Sequence, residues 1–88
     1  MNYKIEFPDY DDTIIVPEGW LDDSWHNDVC PKITKGTWVI WCDYKDPDRR
    51  EIEGQQFVAS TNIDGSYEPL HQFDNLGDAV AFCQEVQA

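Results

Sequence analysis

The segment Thr37-Trp38-Val39-Ile40-Trp41-Cys42-Asp43-Tyr44 is apolar or aromatic at most of its positions. As a strand it sends Trp38, Ile40, Cys42 and Tyr44 to one face and Val39, Trp41 and Asp43 to the other. Two indoles on opposite faces cannot share one core. One of them has to cover a second, smaller cluster or lie at a contact surface. A chain that contains this strand has to fold around it.

The flanking segments supply partners. Lys45-Asp46-Pro47-Asp48 is turn chemistry, Arg49 to Gly54 is charged and extends a hairpin, and Gln55 to Thr61 reads as the partner strand. Asn62-Ile63-Asp64-Gly65 turns again, with Asp-Gly as the hairpin signal. Tyr67 to Phe73 is a weaker strand, which Pro69 assigns to an edge. Near the start, Tyr3, Ile5 and Phe7 alternate with Lys4 and Glu6, the period of a half-buried strand. Pro8 to Asp12 is a turn, and Thr13-Ile14-Ile15-Val16 is a β-branched run that completes an N-terminal hairpin. Residues 17–36 lack a clean period and read as a long loop with one helical turn near Leu21–Trp25.

Toward the end, Asp74 reads as a helix N-cap. Leu76, Ala79, Val80, Cys83 and Val86 follow as one apolar stripe on a helix of about three turns, and Asp78 suits the positive end of its dipole. The expected fold is α+β: an antiparallel sheet of four to five strands with one C-terminal helix packed on one face, residues 1–88 forming a single domain.

Charge limits what such a domain does. The chain carries 18 acidic and 6 basic residues, a formal net charge of −12. That excess repels nucleic acid and anionic membranes and attracts basic surfaces. Four Trp, four Tyr and four Phe are too much aromatic matter for an acidic disordered tail. No apolar run is long enough to span a membrane, and the start lacks the pattern of a signal peptide. Cys30, Cys42 and Cys83 are odd in number and have no CxxC spacing. They read as reduced and mostly buried in a cytoplasmic protein of a bacterial host cell; one disulfide with a spare thiol is the alternative.

Candidate contact residues follow the acids. Asp9, Asp11 and Asp12 occupy the first turn, Glu18, Asp22, Asp23 and Asp28 the long loop, and Asp46 and Asp48 the next turn. Tyr10, Trp20 and Trp25 fall inside the acid-rich segment. Aromatic anchors beside steering carboxylates suit a protein interface, although Trp20 and Trp25 also suit a plug at the end of a small core. Duplex DNA carries one charge per roughly 1.7 Å of axis, so a small acidic domain offers a field of the same order. Solubility is the competing explanation of the charge.

Catalytic patterns are weak. His26, Asp28 and Cys30 put imidazole, carboxylate and thiol close in sequence, and His71 is a further candidate ligand, but no spacing supports a zinc site or a nucleophile pair. Read as an EF-hand from Asp9, the sixth and twelfth positions hold Ile14 and Trp20 instead of Gly and Glu. No Walker loop, GxGxxG or GxSxG occurs. Arg49 and Arg50 beside Glu51 and Glu53 read as an internal ion-pair cluster. No cofactor, metal or enzymatic activity is expected.

In size, acidity and lack of catalytic motifs the chain resembles small phage-encoded inhibitors of bacterial defence, such as anti-CRISPR proteins and DNA mimics. The resemblance rests on no motif, and no family residue carries over. It implies a non-enzymatic inhibitor, monomeric or homodimeric, that blocks the nucleic-acid site of a CRISPR effector or other nuclease. An immunity protein against a nuclease toxin follows the same charge logic. A small metal- or thiol-dependent module around His26, Asp28 and Cys30 is the reading from another class.

Overall fold

Trp38–Cys42 (β3) lies at the centre of the sheet in the computed structural model, which describes residues 2–63, 66–67 and 70–86. Lys32–Lys35 (β2) pairs with one edge of β3 and Phe57–Ile63 (β4) with the other. Leu21–Asp22 (β1) adds outside β2. His71–Phe73 (β6) pairs with Phe57 to Ala59. The five strands run β1-β2-β3-β4-β6, all antiparallel, and two-residue Ser66–Tyr67 (β5) pairs with the end of β4. Helix α2 (Leu76–Val86) packs on β3, β4 and β6. The α+β architecture is the expected one. The radius of gyration is 11.9 Å.

One face of the sheet carries the main core. Ile33, Trp38, Ile40, Cys42, Phe57 and Ala59 meet Ala79, Val80 and Cys83 of α2. Ile40 sits in register between Ile33 and Ala59 and is fully buried. Trp38 meets Phe82 edge-on at 5.8 Å between ring centroids. On the opposite face Val39, Val58 and Ser60 are buried and Trp41 is half-buried. Trp41 is thus the indole of the second face, with the Lys32 ammonium 5.2 Å from its ring centroid. All three cysteines are free and buried.

The N-terminal segment departs from the expected hairpin. Tyr3–Glu6 is a short helix, α1, capped by Asn2, whose side chain accepts from the Lys4 N–H. Tyr3 and Phe7 are buried while Ile5 is 74% exposed. The alternation of three apolar residues is therefore an i, i+4 pair with an outlier between them. Thr13 to Val16 pairs with no strand among the described residues. Its Ile14 is buried and held by an N–H bond to the Tyr3 hydroxyl at 3.1 Å, whereas Ile15 is 82% exposed. Tyr3, Ile14 and Trp20 join the same core as α2. The segment and the helix therefore cover one sheet face side by side.

Other expectations need correction. Residues 17–36 hold β1 and β2 rather than a long loop with a helical turn. Lys32-Ile33-Thr34-Lys35 offers only one apolar residue to read. The β2–β3 turn needs the left-handed backbone of Gly36, at φ 60°. Arg49 to Gly54 adds no ladder; the stretch bends, after a 3-10 turn at Pro47–Arg49. Asn75 caps α2 instead of Asp74, its side chain accepting from the Asp78 N–H at 2.8 Å. Asn62 and Ile63 continue β4. Asp64, Gly65 and Pro69 lie outside the described residues, as does the side chain of Val86 in the helical stripe.

Candidate functional site

Two acid-rich patches account for most of the candidate residues. In the first, residues 9–12 fold against residues 43–49. Asp11 accepts the Lys45 N–H at 2.7 Å and the Asp46 N–H at 2.9 Å. Burial pushes its carboxyl up, but these backbone donors, with Arg49 adding, outweigh that and hold it below its usual range. Asp12 accepts from the Thr13 N–H and from Gln56 Nε2, both at 2.8 Å. Asp9 accepts from the Tyr44 hydroxyl and from Arg49 at 3.1 Å. Tyr10 donates its hydroxyl to the Asp43 carbonyl, and its ring bridges those of Tyr3 and Tyr44. Burial pushes the Tyr10 phenol up. Asp46 caps the 3-10 turn by accepting the Asp48 N–H. The fold thus brings Asp9, Tyr10, Asp11 and Asp12 to Asp46 and Asp48.

The second patch surrounds the β1–β2 connection. Asp22 accepts from the Tyr3 N–H at 2.8 Å and from the Ser24 N–H at 3.2 Å. Asp28 pairs with Lys32 at 2.5 Å. His26 Nδ1 lies 2.8 Å from Glu6 Oε1, and the His26 N–H donates to the same oxygen. These His26 hydrogen bonds hold the Glu6 carboxyl below its ordinary value. Trp25 is 39% exposed and tilts against the His26 ring. Trp20 is different: it is 5% exposed and belongs to the core, and its Nε1 has no partner among the described residues.

Of the nine candidate acids, Asp9, Asp11, Asp12, Asp22, Asp28 and Asp46 hold the chain's own groups. Glu18, Asp23 and Asp48 are exposed, and their carboxylates have no partner among the described residues. Both arginines are also committed internally. Arg49 reaches Asp9 and Asp11 and lies over the Tyr44 ring at 4.6 Å. Arg50 donates to the carbonyls of Tyr44, Lys45 and Gly54. The expected Arg49-Arg50 cluster with Glu51 and Glu53 does not form.

The sequence reading missed Asp43 and Gln56. Asp43 is fully buried and its carboxylate accepts the N–H groups of Tyr44, Glu51 and Ile52 at 2.8, 3.1 and 2.7 Å. It organises the whole 44–52 loop. The available signal was a lone carboxylate inside an apolar strand run, which demands a partner. Gln56 Nε2 ties that loop to Asp12 and to the Asp43 carbonyl.

The His26–Asp28–Cys30 arrangement does not assemble. His26 turns to Glu6, Asp28 to Lys32, and Cys30 is fully buried. Burial, with Asp43, Cys42, Asp28 and Glu51 adding, pushes the Cys30 thiol up, away from a reactive thiolate. Among the described residues no group of three His, Cys, Asp or Glu is placed to hold a metal ion. No described helix is long and apolar enough to cross a membrane. No family model, no curated protein and no solved structure matches the chain.

Proposed function

We propose that this protein is a non-enzymatic acidic inhibitor that docks on a basic, nucleic-acid-handling protein, a CRISPR effector or another nuclease, and occludes its nucleic-acid site. The observation that carries the reading is the fixing of carboxylates by backbone donors at Asp11, Asp12, Asp22 and Asp46. A negative surface ordered before contact loses little entropy on docking. Its long axis is 36 Å, and a duplex of that length carries on the order of 20 phosphate charges. The net charge of −12 is of the same order. Trp25, half out of the surface beside Asp23 and Asp28, is the aromatic anchor of this reading.

The test has to spare the carboxylates that hold the fold, so Asp22 and Asp28 are unsuited to reversal. Glu18→Lys, Asp23→Lys and Asp48→Lys together shift the formal charge by two each, from −12 to −6. Affinity capture from bacterial lysate, read by mass spectrometry, should recover a nucleic-acid-binding protein with the wild type at low salt. Rising salt and the triple variant should both release it, and Trp25→Ala should weaken it. Capture indifferent to salt and to the triple variant would sink the proposal.

A further inference from the structure

The two covers of the main core do not meet flush. Between them runs an open apolar groove of about 490 Å³, walled by Thr13, Ile15 and Pro17 on one side and Leu76, Gly77, Val80, Ala81 and Gln84 on the other. It contains no charged residue. Its most exposed apolar side chain is Ile15, which points to no core in this fold. The α2 wall from Leu76 to Gln84 spans about 12 Å at helical rise. That is the length over which a docked helix presents apolar side chains at i, i+3, i+4 and i+7.

Charge around the groove specifies what fits it. Asp12 and Glu18 bracket the Thr13–Pro17 wall, and Asp78 and Glu85 follow the lining residues Gly77 and Gln84. Every charged residue adjacent in sequence to a lining residue is acidic. Residues 51–88 contain no Lys or Arg, so the negative end of the α2 dipole has no cation from that half of the chain. Lys35 lies beyond the Pro17 end, its side chain against Gly19. A second copy of this acidic chain is repelled from such a rim.

We propose that this groove is the docking site for a cationic amphipathic helix of the partner, its apolar stripe seated on Ile15, Val80 and Ala81 and its Lys or Arg residues on the acidic rim. The inference rests on the partner being a basic protein, as proposed above. It adds that recognition is by apolar anchoring at a seam as well as by surface charge.

A synthetic Lys/Leu peptide on the order of 15 residues, long enough for marginal helicity, is the probe. Its Leu residues lie on one helical stripe. The control has the same composition with Leu scattered round the helix. Binding is read by fluorescence anisotropy and by amide shifts of the labelled protein. The striped peptide should shift Ile15, Gly77, Ala81 and Gln84 and bind about tenfold more tightly than the control. Ile15→Ser should remove about that tenfold; Ile15 is exposed, so the fold should survive, as a thermal melt will show. Ala81→Arg, which fills the groove and inverts its rim, should abolish the shifts. Equal binding of both peptides, with shifts centred on Asp9–Asp12 or Asp46–Asp48, overturns the groove and leaves charge-driven docking standing. Absence of binding by either peptide at low salt overturns the groove too. The lysate capture tests the wider reading separately, through its salt dependence and through Asp23 and Asp48, neither of them a sequence neighbour of a lining residue.

Discussion

The sheet with α2 and the acid-rich segments around it solve the same problem by different chemistry. In the sheet, N–H and C=O groups pair along regular ladders, and apolar periodicity decides which side chains face the core. Residues 2–31 and 43–56 have few ladders. Beside local turn bonds to carbonyls, carboxylates take up many of their backbone donors: Asp22 holds the Tyr3 N–H, Glu6 the His26 N–H, Asp11 those of Lys45 and Asp46, and Asp43 those of Tyr44, Glu51 and Ile52. Burying an unpaired N–H is costly, so an irregular segment needs acceptors from somewhere. Part of the acidity that looks like a binding surface is therefore the scaffold of the loops. The two roles coexist at the surface carboxylates such as Asp11, which still present charge outward, whereas the fully buried Asp43 serves the loop alone.

The sharpest way to break this comparison is at Asp43. Asp43→Ala leaves three N–H donors without their acceptor, that of Tyr44 buried and those of Glu51 and Ile52 part-buried, and should cost about 2–3 kcal/mol. Asp43→Asn keeps one acceptor oxygen and should cost less. Urea unfolding followed by tryptophan fluorescence measures both. A loss below about 1 kcal/mol for the alanine would mean that the 44–52 loop is held by something other than its carboxylate.

Acid should act on the loops before the sheet. Glu6 and Asp11 both titrate below their ordinary values of 4.5 and 3.8 in the folded protein. A depressed carboxyl contributes stability that is present above its unfolded value and is lost as pH falls through the folded one. Lowering pH also relieves the repulsion among the acids, so the wild-type curve alone mixes opposite effects. The difference between wild type and the Glu6→Gln/Asp11→Asn double variant isolates them. The variant should melt lower at about pH 7, with the gap closing below about pH 4. A gap independent of pH would assign the loss to packing rather than charge.

These different chemistries also explain what the sequence made legible. β3, β4 and α2 are long enough for their period to show: Trp38, Ile40 and Cys42 alternate, and Ala79, Val80 and Cys83 repeat at helical spacing and are buried. The expected strand from Tyr67 to Phe73 was legible only in part: Tyr67 ends β5 and His71–Phe73 alone form β6, while Pro69 lies outside the described residues. Adjacent Asp74 and Asn75 are both good caps, and only the backbone path chose between them. β2 was hidden because its ends are lysines, one of which covers Trp41 with its ammonium. The carboxylate contacts were hidden for a deeper reason. Asp22 and Tyr3 are 19 residues apart, and Asp11 and Asp46 are 35; spacing carries no signal at that range. Of the candidate site, the positions of the acids were visible, but not which of them the fold keeps for itself.

The smallest effect separates the two readings of the N-terminus most cleanly. In a half-buried strand Ile5 would sit between Tyr3 and Phe7 on the core face, and a polar substitution there would cost on the order of 2 kcal/mol. In α1 it points to solvent at 74% exposure, between two buried rings one helical turn apart. Ile5→Ser should therefore leave the urea midpoint nearly unchanged, within about 0.5 kcal/mol. A loss several times larger would return Ile5 to the core and restore the strand. The Asn2 cap and the Asp22 bond to the Tyr3 N–H would then be the contacts to discard. An unchanged midpoint keeps Tyr3 oriented by its helix, with its hydroxyl on the Ile14 N–H. That bond ties the first segment to the Thr13–Pro17 wall and leaves Ile15 facing outward.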